Sequence, residues 1–356
     1  MKLINLVGTR PQFIKAAALS RQLKLHPSIQ EIIVHTGQHF DKNMSDVFFD
    51  EMMIPNPKYN LEVNSLSHGA MTGRMIEKIE EVLLLEKPDV LLVYGDTNST
   101  LAGALAAKKL NIKVAHIEAG LRSFNMQMPE EINRILTDRI SDVLFCPTDT
   151  ALKNLQAEGY ENFDCTIVKN GDVMMDVALF YAKISSQKSK IIEQLNCNEF
   201  VLATIHRPEN TDDVESLKNI VSAFNTIAQK INLVLPLHPR TKAIIDKNKI
   251  DTFFKIIEPV GYFDMLELLK NCKLVVTDSG GLQKEAFYFH KHCITIRKQT
   301  EWLELLSGGF SCLVDSKSED IINAYEKMEN KKSDFNIDYF GNGNASEIVV
   351  NTLLKF

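Results

Sequence analysis

Lys2-Leu3-Ile4-Asn5-Leu6-Val7-Gly8-Thr9-Arg10-Pro11-Gln12-Phe13-Ile14-Lys15 is a short apolar run that breaks at a glycine and passes into a segment with proline at a first helical position. A strand running straight into a glycine turn and a helix is the unit from which parallel sheets covered by helices are built. The alternation continues, with strands expected near Leu3–Val7, Glu31–His35, Val90–Tyr94, Val114–Ile117 and Val143–Phe145 and an amphipathic helix at Met75–Leu85. It then restarts with strands at Phe200–Ile205, Asn232–Leu237, Lys255–Glu258, Lys273–Thr277 and Cys293–Arg297. Helices near Val214–Lys230, Phe263–Leu269 and Leu282–Phe289 separate them. The expected fold class is therefore α/β, with two doubly wound Rossmann-like domains.

The first domain is placed at residues 1–170 and the second at 171–340, with the join around Val168–Asp172. Ser186–Ser189 reads as a surface loop, and a last helix near Ala345–Leu354, within 341–356, can close on either domain. Ligands of open α/β sheets bind beyond the carboxyl ends of the strands, so the active site is expected in the cleft between the two domains.

Composition narrows the function classes. With 356 residues, 45% hydrophobic and 24% charged, the chain can bury two cores. Forty Lys and Arg against 46 Asp and Glu give a net charge of -6, the wrong sign for a partner of nucleic acid. The six cysteines include no C-x-x-C pair and read as reduced thiols of a cytoplasmic protein. The opening apolar run is too short for a signal peptide and no stretch approaches a membrane span, so no membrane insertion is expected.

Four segments carry chemistry. At Gly8–Lys15 a helix N-terminus offers N–H donors and a positive dipole, to which Arg10 and Lys15 add cationic donors for an anion. The alternative is a tight turn with surface basic residues. The segment is neither G-x-G-x-x-G nor a Walker loop, so it implies neither nicotinamide nor ATP. In Asp278–Glu285 the glycines Gly280 and Gly281 let the backbone approach a diphosphate. Ser279 can add a hydrogen bond and Glu285 can accept from ribose hydroxyls, although a glycine turn with a satisfied N-cap would look the same.

The third group is acidic. Asp96 and Glu118 each end an apolar strand, where a carboxylate is costly unless paired or used. Asp96 can equally be an N-cap; Glu118 is harder to explain so. Of Glu130 and Glu131, one is a helix-start charge. Fourth, His206 ends the first strand of the second domain, where it is an acid/base, a phosphate donor or a bonded loop residue. His238 is a weaker copy of this placement, and His116 reads as a buried structural histidine. His116-x-Glu118 lacks the Pro-Cys-x-x-Cys of a zinc deaminase, and there is no His-x-x-x-His or cysteine cluster. Neither a metal nor another cofactor is expected.

At these residues the sequence resembles the non-hydrolysing UDP-N-acetylglucosamine 2-epimerase family, which has the two-domain GT-B fold. The matching segments are Gly8–Lys15, Gly95–Thr97, His116–Arg122, Pro129–Arg134, His206–Asn210, Asp278–Ala286 and Thr300-Glu301, in the family's order. The resemblance implies that Arg10, Ser279, Gly280, Gly281 and Glu285 bind UDP, and that Lys15, Asp96, Glu118, Glu130, Arg134 and His206 line the reacting sugar. Glu130 is carried over as the first acid after Pro129. Gln38 and His39 match a pair that binds a second, activating UDP-sugar in many bacterial members, but a further glutamine near Leu66–Met71 is missing. A homodimer through the first domain and a role in surface polysaccharide precursor synthesis are also implied. Gly37–Asp41, Asn43–Ser45 and Leu121–Asn125 resemble a branch acting on UDP-2,3-diacetamido-glucuronate, so either sugar fits. A GT-B UDP-sugar glycosyltransferase would share the fold and the UDP site.

Overall fold

The computed structural model describes residues 1–38 and 54–356. It resolves into two compact units, one of residues 1–177 with 338–356 and one of residues 178–337. In unit 1 seven parallel strands lie in the order β3-β2-β1-β4-β5-β6-β7. They are β1 Lys2–Val7, β2 Gln30–His35, β3 Tyr59–Asn60, β4 Val90–Tyr94, β5 Lys113–Ile117, β6 Val143–Cys146 and β7 Thr166–Lys169. Unit 2 has six, in the order β10-β9-β8-β11-β12-β13. These are β8 Phe200–Thr204, β9 Asn232–Pro236, β10 Lys255–Ile257, β11 Leu274–Thr277, β12 Cys293–Ile296 and β13 Ser311–Val314.

The central strands are near-continuous apolar runs, interrupted by Asn5 in β1 and His116 in β5, because helices cover both of their faces. In unit 1 Ile4, Leu6, Leu91, Val93 and Val114 pack with Met75, Ile79 and Leu83 of the helix His68–Glu86 and with Ala102 and Ala106 of the helix Asn98–Lys109. Each buried Leu, Ile or Met contributes about 1.5–3 kcal/mol. The helix Asn98–Lys109 reaches the sheet only because residue 103 is glycine: a Cβ there would stand 2.2 Å from Leu6 Cδ2. In unit 2 Leu217, Ile220, Phe224 and Ile227 form one stripe of the helix Val214–Ala228 and pack on Val201, Ala203, Leu233 and Val276.

Three strands escape the sequence reading, β3, β7 and β13. All three are short sheet edges and none is buried along its length; β10, the fourth edge and no better buried, was expected. Ser186–Ser189 is not the expected loop. The helix Val173–Lys188 covers its first three residues and ends there, leaving only Ser189 outside, and just before it Ser185 Oγ donates to Glu267. The last helix, Ala345–Leu353, belongs to unit 1, its first N–H groups donating to the Asp176 carboxylate from Ser346 at 2.6 Å and Ala345 at 3.1 Å. No helix among the described residues is long and apolar enough to cross a membrane.

Candidate active site

Strand order fixes where ligands bind. In an open parallel sheet the crevice opens at the carboxyl ends of the two strands where the winding reverses. That point is β1/β4 in unit 1 and β8/β11 in unit 2. The first pair ends in Gly8–Arg10 and Gly95-Asp96, the second in His206 and Asp278–Gly281.

Unit 1 gathers Lys15, Asp96, Glu118 and Arg134 into two ion pairs. Lys15 Nζ bonds Glu118 Oε2, both side chains being nearly buried. Arg134 Nη2 bonds Asp96 Oδ2. Glu118 adopts φ 72° and Gly95 φ 62°. The left-handed conformation is costly for a glutamate and is the kind of strain kept at working sites. Glycine is favoured at 95 by its left-handed φ, and a Cβ there would lie a tight 3.1 Å from Glu118 Oε2. Burial pushes the Asp96 carboxyl above its ordinary value, and the Glu118 charge adds to this against the pull of Arg134. Asp96 is not an N-cap: Thr97 caps the helix Asn98–Lys109, its Oγ1 accepting from Thr100 N at 3.3 Å.

The first anion socket is built differently from the expectation. The N–H groups of Gly8 and Thr9 donate to Gln12 Oε1 at 2.8 and 3.2 Å, while Gln12 Nε2 donates to the Tyr94 carbonyl at 2.8 Å. Gln12 therefore staples the β1 turn to the β4 turn. Glu131, fully buried, accepts from Ser123 N at 2.9 Å, Phe124 N at 2.8 Å and Arg134 Nη1 at 2.9 Å. It is thus the structural member of the Glu130–Glu131 pair, and Glu130 is exposed. His116 is fully buried, bonded to Asp138 through Nδ1 at 2.7 Å and to the Gly95 carbonyl through Nε2 at 2.7 Å. Gln38 Oε1 accepts from Ser99 N at 3.1 Å and Ser99 Oγ at 2.7 Å; His39 lies outside the described residues.

In unit 2 the exposed His206 has its Nδ1 2.8 Å from Oδ1 of the fully buried Asp278, which leaves Nε2 for a substrate. Asp278 also accepts from the N–H groups of His206 and Arg207, both at 3.0 Å, and from Asn210 Nδ2 at 3.1 Å. Burial opposes its charge, yet His206 and these donors hold the carboxyl below its ordinary value. A carboxylate fixing one histidine nitrogen so that the other can act is the orienting half of a catalytic dyad. Sequence reasoning gave Asp278 no role of its own, although it too is an acid ending an apolar strand.

Ser279 caps the helix Gly280–Tyr288, and among the described residues the Gly280 and Gly281 N–H groups have no hydrogen-bond acceptor. Two open donors at a helix N-terminus are an anion socket. Nothing lies within 4 Å of a Cβ placed on Gly281, and Arg297 Nη1 lies 3.4 Å from one placed on Gly280. Glu285 is buried and accepts from Tyr262 Oη at 3.1 Å. The buried Arg297, a further cation at this turn, was not singled out from the sequence. Among the described residues no group of three or more His, Cys, Asp or Glu side chains could hold a metal ion.

Two parallel-sheet units, one with open N–H donors at a helix N-terminus and one with two carboxylate–cation pairs near its switch point, have the arrangement of a nucleotide-sugar enzyme. The family model described as UDP-N-acetylglucosamine 2-epimerase matches residues 21–354. UDP-2,3-diacetamido-2,3-dideoxy-D-glucuronate 2-epimerase of Pseudomonas aeruginosa is 51% identical over 100% of both chains. A UDP-N-acetylglucosamine 2-epimerase homolog of Methanococcus maripaludis is 49% identical over 99% of both. The crystal structure of Methanocaldococcus jannaschii UDP-GlcNAc 2-epimerase in complex with UDP-GlcNAc and UDP superposes with a TM-score of 0.90 at 45% identity, covering 100% of both chains. The chain belongs to the UDP-N-acetylglucosamine 2-epimerase family, an isomerase family with a GT-B-like fold.

Proposed function

We propose that this protein inverts carbon 2 of a UDP-linked 2-acetamido sugar, converting UDP-N-acetylglucosamine to UDP-N-acetylmannosamine, by eliminating and re-adding UDP. The observation that carries the reading is the gathering of Asp96, Glu118, Lys15 and Arg134 at the switch point of unit 1, in a chain of this family.

The hydrogen on carbon 2 is not adjacent to a carbonyl, so direct abstraction by a carboxylate faces a prohibitive barrier. Breaking the anomeric carbon–oxygen bond first changes this. The electron pair leaves with UDP, positive charge grows on the ring, and the carbon 2 proton passes to an enzyme base, giving a 2-acetamidoglycal. Reprotonation of carbon 2 from the opposite face and return of the diphosphate oxygen to carbon 1 complete the inversion. The open N–H groups of Gly280 and Gly281, with Ser279, Arg10 and Glu285, are assigned to UDP. Asp96, Glu118, Glu130, His206 and Lys15 are assigned to the proton transfers and the ring charge, and Arg134 to binding and to holding Asp96. Opposite-face delivery requires two proton sites or one mobile one, and Asp96, Glu118, Glu130 and His206 can supply them.

The same chemistry on UDP-2,3-diacetamido-glucuronate is the second reading, favoured by 51% identity over the whole of both chains to the Pseudomonas enzyme. Incubation with each UDP-sugar alone in heavy water tests both. The true substrate gives a 2-epimer carrying deuterium at carbon 2, with slow leakage of glycal and free UDP. A product without deuterium refutes the elimination route. Turnover only when a sugar acceptor is added would make the protein a transferase.

The family resemblance supports a cytoplasmic homodimer that contacts its twin through unit 1 and supplies surface polysaccharide precursors. Light scattering that returns a monomer mass refutes the dimer. Activation by a second UDP-sugar near Gln38 and His39 would appear as sigmoidal kinetics lost in Gln38→Ala.

A further inference from the structure

We infer that His116, which the assignments above leave out, is a positioning residue that sets the direction of Asp96 and its separation from Glu118, an inference that rests on the proposed function. The side chain of Asp96 points where its two flanking peptide planes allow, and each plane is pinned from outside its own loop. The plane before Asp96 carries the Gly95 carbonyl, which accepts from His116 Nε2 at 2.7 Å. The plane after it carries the Asp96 carbonyl, which accepts from Asn133 Nδ2 at 2.9 Å. A third hold, Gln12 Nε2 on the Tyr94 carbonyl at 2.8 Å, fixes the entry to the turn.

His116 also couples the two acids. It lies on β5 two residues before Glu118, and the backbone pairing of β4 with β5 ends at Tyr94 and Ile117. Beyond that point the Gly95 N–H reaches the Ile117 carbonyl at 2.9 Å, and the His116–Gly95 bond then joins the two strand ends again. Glu118, the residue just past the joined strand ends, is in the left-handed region, which is costly for a glutamate and needs support from its surroundings. The Gly95 carbonyl can only accept, so Nε2 is the donor there, while Nδ1 faces Asp138 Oδ1. Asp138 holds the far side of the ring with Oδ1, and its Oδ2 accepts from Gly120 N at 3.0 Å and Arg122 Nη1 at 2.7 Å. The ring is thereby locked against rotation at a fully buried position.

Two amide substitutions separate this role from packing. His116→Gln places its amide near the position of Nε2 and can keep the bond to Gly95; His116→Asn places its amide near Nδ1 and keeps only the bond to Asp138. Misplacing a reacting group by about 1 Å can cost up to about 10²-fold in rate. The expected result is a fall in kcat of about tenfold or more for His116→Asn, with KM and UDP affinity within about twofold of wild type, and about threefold or less for His116→Gln. His116→Asn should also release more free UDP and glycal per epimer formed, because a misdirected acid reprotonates the intermediate poorly. Equal losses in both variants, or unchanged kcat and leakage in a folded His116→Asn, overturn the inference. If His116→Asn does not fold, Asn133→Ala reads the same carbonyl clamp one peptide further on, and unchanged kcat there overturns it. A wild-type protein that exchanges no deuterium into either UDP-sugar overturns the proposed function and this inference with it. An active wild type with unaffected variants overturns only the positioning role.

Discussion

Glu130 and Glu131 are adjacent carboxylates on one helix turn, and replacing each in turn by alanine should separate function from structure. Glu131 is fully buried and accepts from Ser123 N, Ser123 Oγ, Phe124 N and Arg134 Nη1 at 2.8–2.9 Å. Removing it leaves Phe124 at φ 57° without its anchor and the buried Arg134 guanidinium with one carboxylate fewer. Hydrogen bonds to a charged group are worth about 1.5–3 kcal/mol each, but four that share one acceptor do not add. The measured cost of breaking a buried charged pair, about 3–5 kcal/mol, is the better guide. For a unit of this size that is a fall in melting temperature on the order of 10 °C. Glu130 is exposed, and Glu130→Ala should stay within about 0.5 kcal/mol of wild type. Its loss should instead appear in kcat, measured by chromatography of the UDP-sugars. Differential scanning fluorimetry of the two variants side by side decides the matter. A Glu131→Ala protein melting within about 2 °C of wild type, or Glu130→Ala melting as low as Glu131→Ala, would refute the division of labour.

Glu118→Gln keeps the shape but removes the charge facing Lys15, so turnover should drop by about 10²-fold or more while UDP affinity by calorimetry changes little; near-normal turnover makes Glu118 structural. Glu285→Ala should weaken UDP by about 1–3 kcal/mol through a lost charged hydrogen bond, and unchanged affinity excludes that contact. Asp278 is held below its ordinary value when folded, so its stabilising contribution is present above pH ~4, near the unfolded value, and is lost as pH falls through the folded one. The gap in urea midpoint between wild type and Asp278→Asn should therefore close on acidification, and a gap that widens reverses the assigned sign. Gly103→Ala should cost about 1–3 kcal/mol by overpacking against Leu6, and a melting curve equal to wild type would show that the helix can withdraw freely.

The sequence disclosed most where burial and charge conflict. A carboxylate at the end of an apolar strand needs a reason, and that argument alone brought out Asp96 and Glu118, which the structure places together at the switch point of unit 1. Applied evenly it would have brought out Asp278, which ends β11 in the same way; the adjacent glycines drew attention to the turn instead. The central strands were legible because covered sheets write near-continuous apolar runs, whereas β3, β7 and β13 are short and only partly buried; β10, an equally exposed edge, was legible all the same.

What sequence cannot carry is which polar residue holds which. Gln12 looks like a helix residue after a proline, yet its amide closes both the β1 and β4 turns. Glu130 and Glu131 are chemically identical, and only helix phase, which turns the second inward to full burial, gives them different work. His116 reads correctly as a buried histidine, but burial and function are not alternatives here. The bond that satisfies its Nε2 is the one that fixes the peptide plane before Asp96. A residue can therefore be part of the core by exposure and part of the reaction by geometry, and only partners and distances separate those two readings.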